Sequence, residues 1–272
     1  MGEFLLEKIL FRRKRVAGCI FCLLLGSILP AWAVEYPSVL KWDRRVELST
    51  PVSGIVSEVA VHEGERVRKG QLLLQLDDRP FRLEIDRARS VVKRLVVVLD
   101  EARREKDRAE ELYARTVLSD HELQLARIGW TIADAKLESA KSDLARAKLD
   151  LEYSTVRAPF DGRILERHAE VGQTLVQRFR STPLIVLAAS DRMCAQALMT
   201  QEQFSNVTPG QKVMVKVEGH LYPGTVRSIG LTPVSAEVPG ALYPVDIVFR
   251  IDPVITFRAG QPATILFSGD SL

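Results

Sequence analysis

Two long stretches in the middle of the chain carry apolar or small residues in a steady four-three rhythm. In the first they fall at Phe81, Ile85, Ala88, Val92, Leu95, Leu99, Ala102, Ala109 and Tyr113, with the charged Lys106 filling one slot. In the second they fall at Leu123, Ala126, Trp130, Ala133, Leu137, Ala140, Leu144, Ala147 and Leu151. That spacing keeps one stripe of each helix turned toward a partner, and it predicts a coiled-coil seam of about four heptads on each arm. Between the arms sits Thr116–Asp120, where Ser119 followed by Glu122 forms a capping box, so a new helix starts there. A connection this short makes the two helices antiparallel neighbours. At about 1.5 Å per residue each arm reaches on the order of 50 Å. The polar positions between, such as Glu101, Arg103, Arg104, Glu105 and Asp107, read as a solvated surface.

The rhythm changes on both sides of this hairpin. Residues 51–79 read as short strands broken by turns, with the β-branched Ile55, Val56, Val59 and Val61 and turns expected at Gly54, Gly64 and Gly70. Residues 154–188 repeat the style, with turns around Pro159, Gly162 and Gly172. The segments SGIVSEVAVHEGERV and DGRILERHAEVGQTL align as an internal repeat, in which Gly54 matches Gly162 and Gly64 matches Gly172. Two such halves predict one small β-sandwich cut open by the hairpin at 80–153. Residues 189–272 alternate over five or six strands, most strictly at Lys212–Val217, and predict a small barrel. Thr200–Phe204 is expected to form one helical turn. The 34–50 stretch holds strand residues around Val46 and Leu48 that pattern alone does not place. The fold class expected is mainly β with an inserted helical hairpin: a split sandwich plus a C-terminal barrel.

Residues 1–33 read as an export signal. A basic run, Arg12–Arg15, precedes an apolar run, Val16–Leu29, and Ala31–Ala33 fits a cleavage site. The formal net charge of +3 is carried by this leader, so the rest is close to neutral and nothing argues for nucleic acid as a partner. Cys19 and Cys22 go with the leader, and Cys194 reads as a small buried hydrophobe.

Candidate chemistry is sparse. His62, His121, His168 and His220 are scattered, and no HExxH, GxSxG or phosphate-cradling glycine motif occurs. Met193, Met199 and Met214 are expected in the core. The sequence therefore implies no enzyme, no cofactor and no metal.

The split repeat resembles the biotinyl/lipoyl-like domain of the periplasmic adaptor proteins, the membrane fusion or HlyD-like family, including the subunits of RND-type efflux pumps. SGIVSEVAVHEGERVRKGQLLLQLD is similar to that family's first half and RAPFDGRILERHAEVGQTL to its second. The resemblance implies a sandwich interrupted by a coiled-coil hairpin and followed by a barrel. It also implies a periplasmic subunit, associated with the inner membrane, that bridges an inner-membrane transporter and a TolC-like outer-membrane channel. Ring assembly of the adaptor with itself, as a hexamer, comes with it. Adaptors of RND pumps carry an Arg, Leu and Ser at the hairpin tip, and Arg108, Leu112 and Ser119 stand at that spacing. Taken singly, Ser119 is also a helix cap, Leu112 a seal of the coil and Arg108 a solvated charge. A swinging-arm carrier is the chemical alternative, but no lysine stands at the Leu76–Arg79 turn. An envelope scaffold, or an adaptor of an ABC or MFS system, is the functional alternative.

Overall fold

The computed structural model describes residues 34–176, 183–235, 240–252 and 256–267. The leader expected at 1–33 lies outside them. No helix among the described residues is long and apolar enough to cross a membrane. The chain divides into two compact units.

One unit is built around a closed six-stranded barrel. Its strands are β1 (Val34–Trp42), β10 (Arg192–Met199), β11 (Lys212–Val217), β12 (His220–Ile229), β13 (Tyr243–Arg250) and β14 (Pro262–Phe267). The sixth strand comes from the N-terminal segment, which the pattern left unplaced: β1 runs antiparallel to β14, Val34 opposite Phe267 and Val39 opposite Pro262. Strict alternation holds in β11, where Val213, Val215 and Val217 are buried and Lys212, Met214 and Lys216 face out. Met193 and Met199 are buried as expected, but Met214 is 37% exposed, because it falls on the lysine side of its strand. Cys194 is buried. The residues from Thr200 make successive tight turns, with Gln203 and Phe204 N–H groups sharing the Thr200 carbonyl, and no helix forms.

The other unit holds the sandwich and the helices. Its two four-stranded sheets run β2-β9-β7-β4 and β6-β5-β3-β8. These are β2 (Arg45–Leu48), β3 (Gly54–Val59), β4 (Arg66–Val67), β5 (Leu72–Leu76), β6 (Thr155–Arg157), β7 (Gly162–Arg167), β8 (Thr174–Leu175) and β9 (Ile185–Ala189). Each sheet mixes strands from both sides of the hairpin: β3 pairs with β8, β5 with β6 and β4 with β7. The repeat therefore interlocks. The Val56 N–H donates to Gln173 O and its carbonyl accepts from the Gly172 N–H, both at 2.9 Å. Ile164 makes the matching pair with Glu65 and Gly64, at 2.9 and 2.8 Å. Between the sheets lie Leu73, Leu74, Leu76, Ile164, Leu184, Ile185 and Leu187, all nearly inaccessible.

One turn recurs. In His62–Glu65, Arg68–Gln71, Glu170–Gln173, Thr208–Gln211 and Arg258–Gln261 the fourth N–H donates back to the first carbonyl. The fourth side chain, Glu or Gln, accepts from the first N–H. The third residue is always glycine at positive φ, from +80° at Gly64 to +91° at Gly210, as a type II turn demands. Gly64, Gly70 and Gly172 are thus turn residues, and Pro159 sits in a bend. Gly54 and Gly162 are not turn residues: they open β3 and β7. A Cβ on Gly162 would stand 2.3 Å from the Ala188 carbonyl oxygen, so the neighbouring strand excludes any side chain there.

Helix α1 (Arg79–Ala114) leaves β5, and α2 (Asp120–Tyr153) returns to β6. Pro80 sits in the first turn of α1, where its missing N–H costs nothing. The Arg79 guanidinium hydrogen-bonds the Asp77 carboxylate and holds its pKa down to about 2, from an ordinary 3.8. The helices lie antiparallel, tied by Arg127 to Glu110 at 3.2 Å and by Lys106 over the Trp130 ring at 5.0 Å. The seam buries Ile85, Ala88 and Ala109 against Leu123, Ala133, Leu137, Ala140 and Ala147. Lys106 keeps its slot by setting its ammonium over the Trp130 ring and 3.3 Å from Asp107. Tyr113 is 43% exposed instead of buried, because the helix already opens into its cap.

Two outcomes follow from this packing. Gly162→Ala forces the Ala188 backbone aside and should cost about 1–3 kcal/mol, read as a lower urea midpoint. Because the Asp77 pKa is depressed by folding, its contribution is present above 3.8 and is lost as pH falls toward about 2. A carboxyl-carbon NMR titration should find Asp77 titrating near that lower value, and Arg79→Ala should return it to the ordinary range.

Candidate functional site

The free end of the helical hairpin gathers the three residues singled out by spacing. Arg108 and Leu112 lie one turn apart on the last turns of α1, and Ser119 caps α2. Ser119 accepts from the Glu122 N–H at 3.3 Å while its own N–H donates to Glu122 Oε2 at 3.0 Å. Its hydroxyl also donates to that carboxylate at 2.7 Å, and these bonds hold the Glu122 carboxyl below the ordinary carboxylate range. Arg108 is largely exposed and donates to Glu105 at 2.8 Å. Leu112 is half-buried.

Of the three, Leu112 borders a shallow groove between the arms. Glu105, Leu112, Leu118, Glu122, Leu125, Ala126, Gly129 and Trp130 line it, over a floor that includes Ala102 and Ala109. Leu112 forms a wall, and two other lining residues, Glu105 and Glu122, hydrogen-bond Arg108 and Ser119, which do not line the groove themselves. The single-residue readings hold as well: Ser119 is a helix cap, and Leu112 contributes to closing the arms.

The link between the arms is a Schellman cap with a β-branched residue where glycine is usual. The Thr116 N–H donates to Tyr113 O and the Val117 N–H to Leu112 O, at 2.9 and 3.0 Å. Thr116 takes φ +59°, a left-handed conformation that a β-branched residue rarely adopts. It turns Val117 outward, 71% exposed. The amino-acid pattern alone did not single out Glu105, Leu118, Leu125, Gly129 or Thr116. The signal for some of them was present: Leu118, Leu125 and Ile132 step by seven beside the main seam, and Gly129 interrupts a helix of otherwise good formers.

Among the described residues no group of three or more His, Cys, Asp or Glu is placed to hold a metal. All four histidines are exposed, and His168 contacts Glu166 at 3.1 Å.

Residues 44–188, just over half of the chain, match the family model described as RND MFP, barrel-sandwich hybrid domain. The fold is similar to that of the membrane fusion protein Spr0693 from Streptococcus pneumoniae R6, at 16% identity and a TM-score of 0.67, over 86% of this chain and 99% of that one. It is also similar to a MacA-MexA chimeric protein containing the Pseudomonas aeruginosa MexA α-hairpin domain, at 19% identity and 0.64, covering 87% and 80%. MacA from Actinobacillus actinomycetemcomitans gives 18% identity and 0.60, covering 86% and 78%.

Ser119→Ala removes the cap of α2 and should cost about 1 kcal/mol, seen as an earlier loss of helical circular dichroism on heating. The Glu122 carboxyl should move back up toward its ordinary range in the same variant.

Proposed function

The chain belongs to the RND-type membrane fusion protein family, the adaptors of efflux systems, and from that premise we propose that it is the periplasmic adaptor of a tripartite efflux pump. It holds an inner-membrane transporter of the RND class to a TolC-like outer-membrane channel. It works in the periplasm beside the inner membrane, after export by the leader at 1–33. Several copies assemble as a ring, a hexamer, with the arms coiled about one another and their turns toward the channel.

One observation carries this reading. A sandwich whose halves interlock presents a helical pair on the order of 50 Å long, and near its end Leu112 walls a groove whose other lining residues Glu105 and Glu122 bond Arg108 and Ser119. Such a body needs no turnover of its own. Its work is to span a distance and to offer a shaped end. Arg108 brings a planar fork of donors suited to carbonyls or carboxylates, Leu112 an apolar wall, and Ser119 a fixed helix start. Glu105, one turn back on α1, holds the Arg108 guanidinium along the helix surface at 2.8 Å.

A deletion strain should accumulate selected toxic compounds, and the wild-type gene should restore resistance. Arg108→Asp should fail to restore it while the protein remains exported and keeps its helical circular dichroism. Wild-type efflux with that variant would remove the tip from the docking role. General envelope leakage in the deletion strain, without selective accumulation, would favour an envelope scaffold.

A further inference from the structure

We propose that the sandwich unit carries a binding site for a small organic anion, in a hollow where four distant segments of the chain meet. The inference stands on this hollow and goes beyond the adaptor reading without depending on it.

The hollow has a volume of about 300 Å³. One wall is Asp43 and Arg44, in the link from β1 to β2. A second begins at Ala189, the last residue of β9, and continues through Asp191 into the start of β10. A third is Lys69, in the turn between β4 and β5. Phe160 and Asp161, in the bend between β6 and β7, complete it. All of these residues belong to the sandwich unit.

Backbone contacts hold the walls together before any ligand arrives. The Ala189 N–H donates to the Arg44 carbonyl at 3.0 Å. Ala189 also pairs with Gly162, the residue after Asp161, in the ladder of β7 and β9. The Lys69 N–H donates to Asp161 Oδ1 at 2.7 Å, and the turn around it is closed by Arg68 and Gln71. Both cations thus start from backbone that is already fixed, which lowers the cost of ordering them around a ligand.

The charges divide into those already matched and those left over. The Arg192 guanidinium lies 3.3 Å from Asp191 and 3.8 Å from Asp43. Asp161 is engaged by the Lys69 backbone. Among the described residues the Arg44 guanidinium and the Lys69 ammonium have no carboxylate partner. Arg44 instead stands over the Phe160 ring, 4.9 Å from its centroid. The ring attracts the charge, but no oxygen accepts the N–H groups, and they remain available to fork onto one carboxylate. The hollow therefore keeps a surplus of positive charge beside an aromatic ring and the buried Ala189. A carboxylate head would meet Arg44 and Lys69, and a short apolar body would lie along Phe160 and Ala189. The volume stands at the small end of ligand sites, which limits that body to a few carbons.

The test titrates the full chain calorimetrically with hexanoate, and with hexanol as the same body without the charge, at constant ionic strength. Hexanoate should bind saturably and raise the melting temperature, and hexanol should do neither. Lys69→Gln leaves the turn intact, because its backbone bonds do not use the ammonium. This variant should melt as the wild type does and bind hexanoate at least tenfold more weakly. Arg44→Gln should lose binding to a similar extent. Arg66→Gln removes an exposed cation of the same unit outside the hollow and should bind as the wild type does. Hexanoate heats that never saturate, hexanol binding equal to that of hexanoate, or full affinity in Lys69→Gln would each overturn the proposal. So would an equal loss in Arg66→Gln, since hexanoate would then answer to surface charge alone. None of these results touches the adaptor reading, which the resistance of the deletion strain decides.

Discussion

Strand pairing across the base of the hairpin is the constraint on which the rest of this unit depends. β5 ends where α1 begins and β6 begins where α2 ends, and these two strands hydrogen-bond to each other. The Leu76 N–H donates to the Ser154 carbonyl at 2.8 Å, and the Thr50 hydroxyl reaches the Tyr153 carbonyl at 2.7 Å. Both helix ends are thereby fixed within one sheet. The arms have little freedom but to run side by side, and the alanines at every seventh position of α2 let them pack closely. Position at the far end is therefore set by packing along the whole seam rather than by the loop.

The same economy shows in the turns. Five connections use one device: a glycine at positive φ, and a Gln or Glu whose side chain accepts from the N–H three residues back. Each turn satisfies an exposed backbone donor with its own residues, which suits connections at the surface. Gly162 serves differently. It is bare because the Ala188 carbonyl occupies the space a methyl would need. The two roles look alike in the amino-acid string, since each glycine is followed by a polar residue. Only the position of the neighbouring strand separates them.

Much of the architecture was legible where a periodic pattern meets a single buried face. The four-three rows, the capping box at Ser119 and the alternation of Lys212–Val217 each reflect one side of an element turned inward. The barrel strand at Val34–Trp42 was not legible, because its partner, β14, lies at the other end of the chain. Tyr113 and Met214 fit the pattern but sit where an element ends or faces out. At the turn, spacing pointed to Arg108, Leu112 and Ser119, yet the groove that Leu112 lines was hidden. Its walls use rows adjacent to the main seam, and an amphipathic reading that looks for one stripe passes over a second. Thr116 was invisible for another reason: left-handed backbone is announced by glycine, and here a threonine adopts it.

The interlocking of the two halves also orders events in time. No strand of the first half can complete a sheet until the second half has been made, more than seventy residues later in the chain. The helices between them contact each other locally and can zip as soon as both exist, which is the faster class of folding event. Once zipped, they shrink the loop to be closed from the full insert to almost nothing, and most of the entropy of joining distant segments is already spent. The stalk is in this sense the jig on which its own base is assembled.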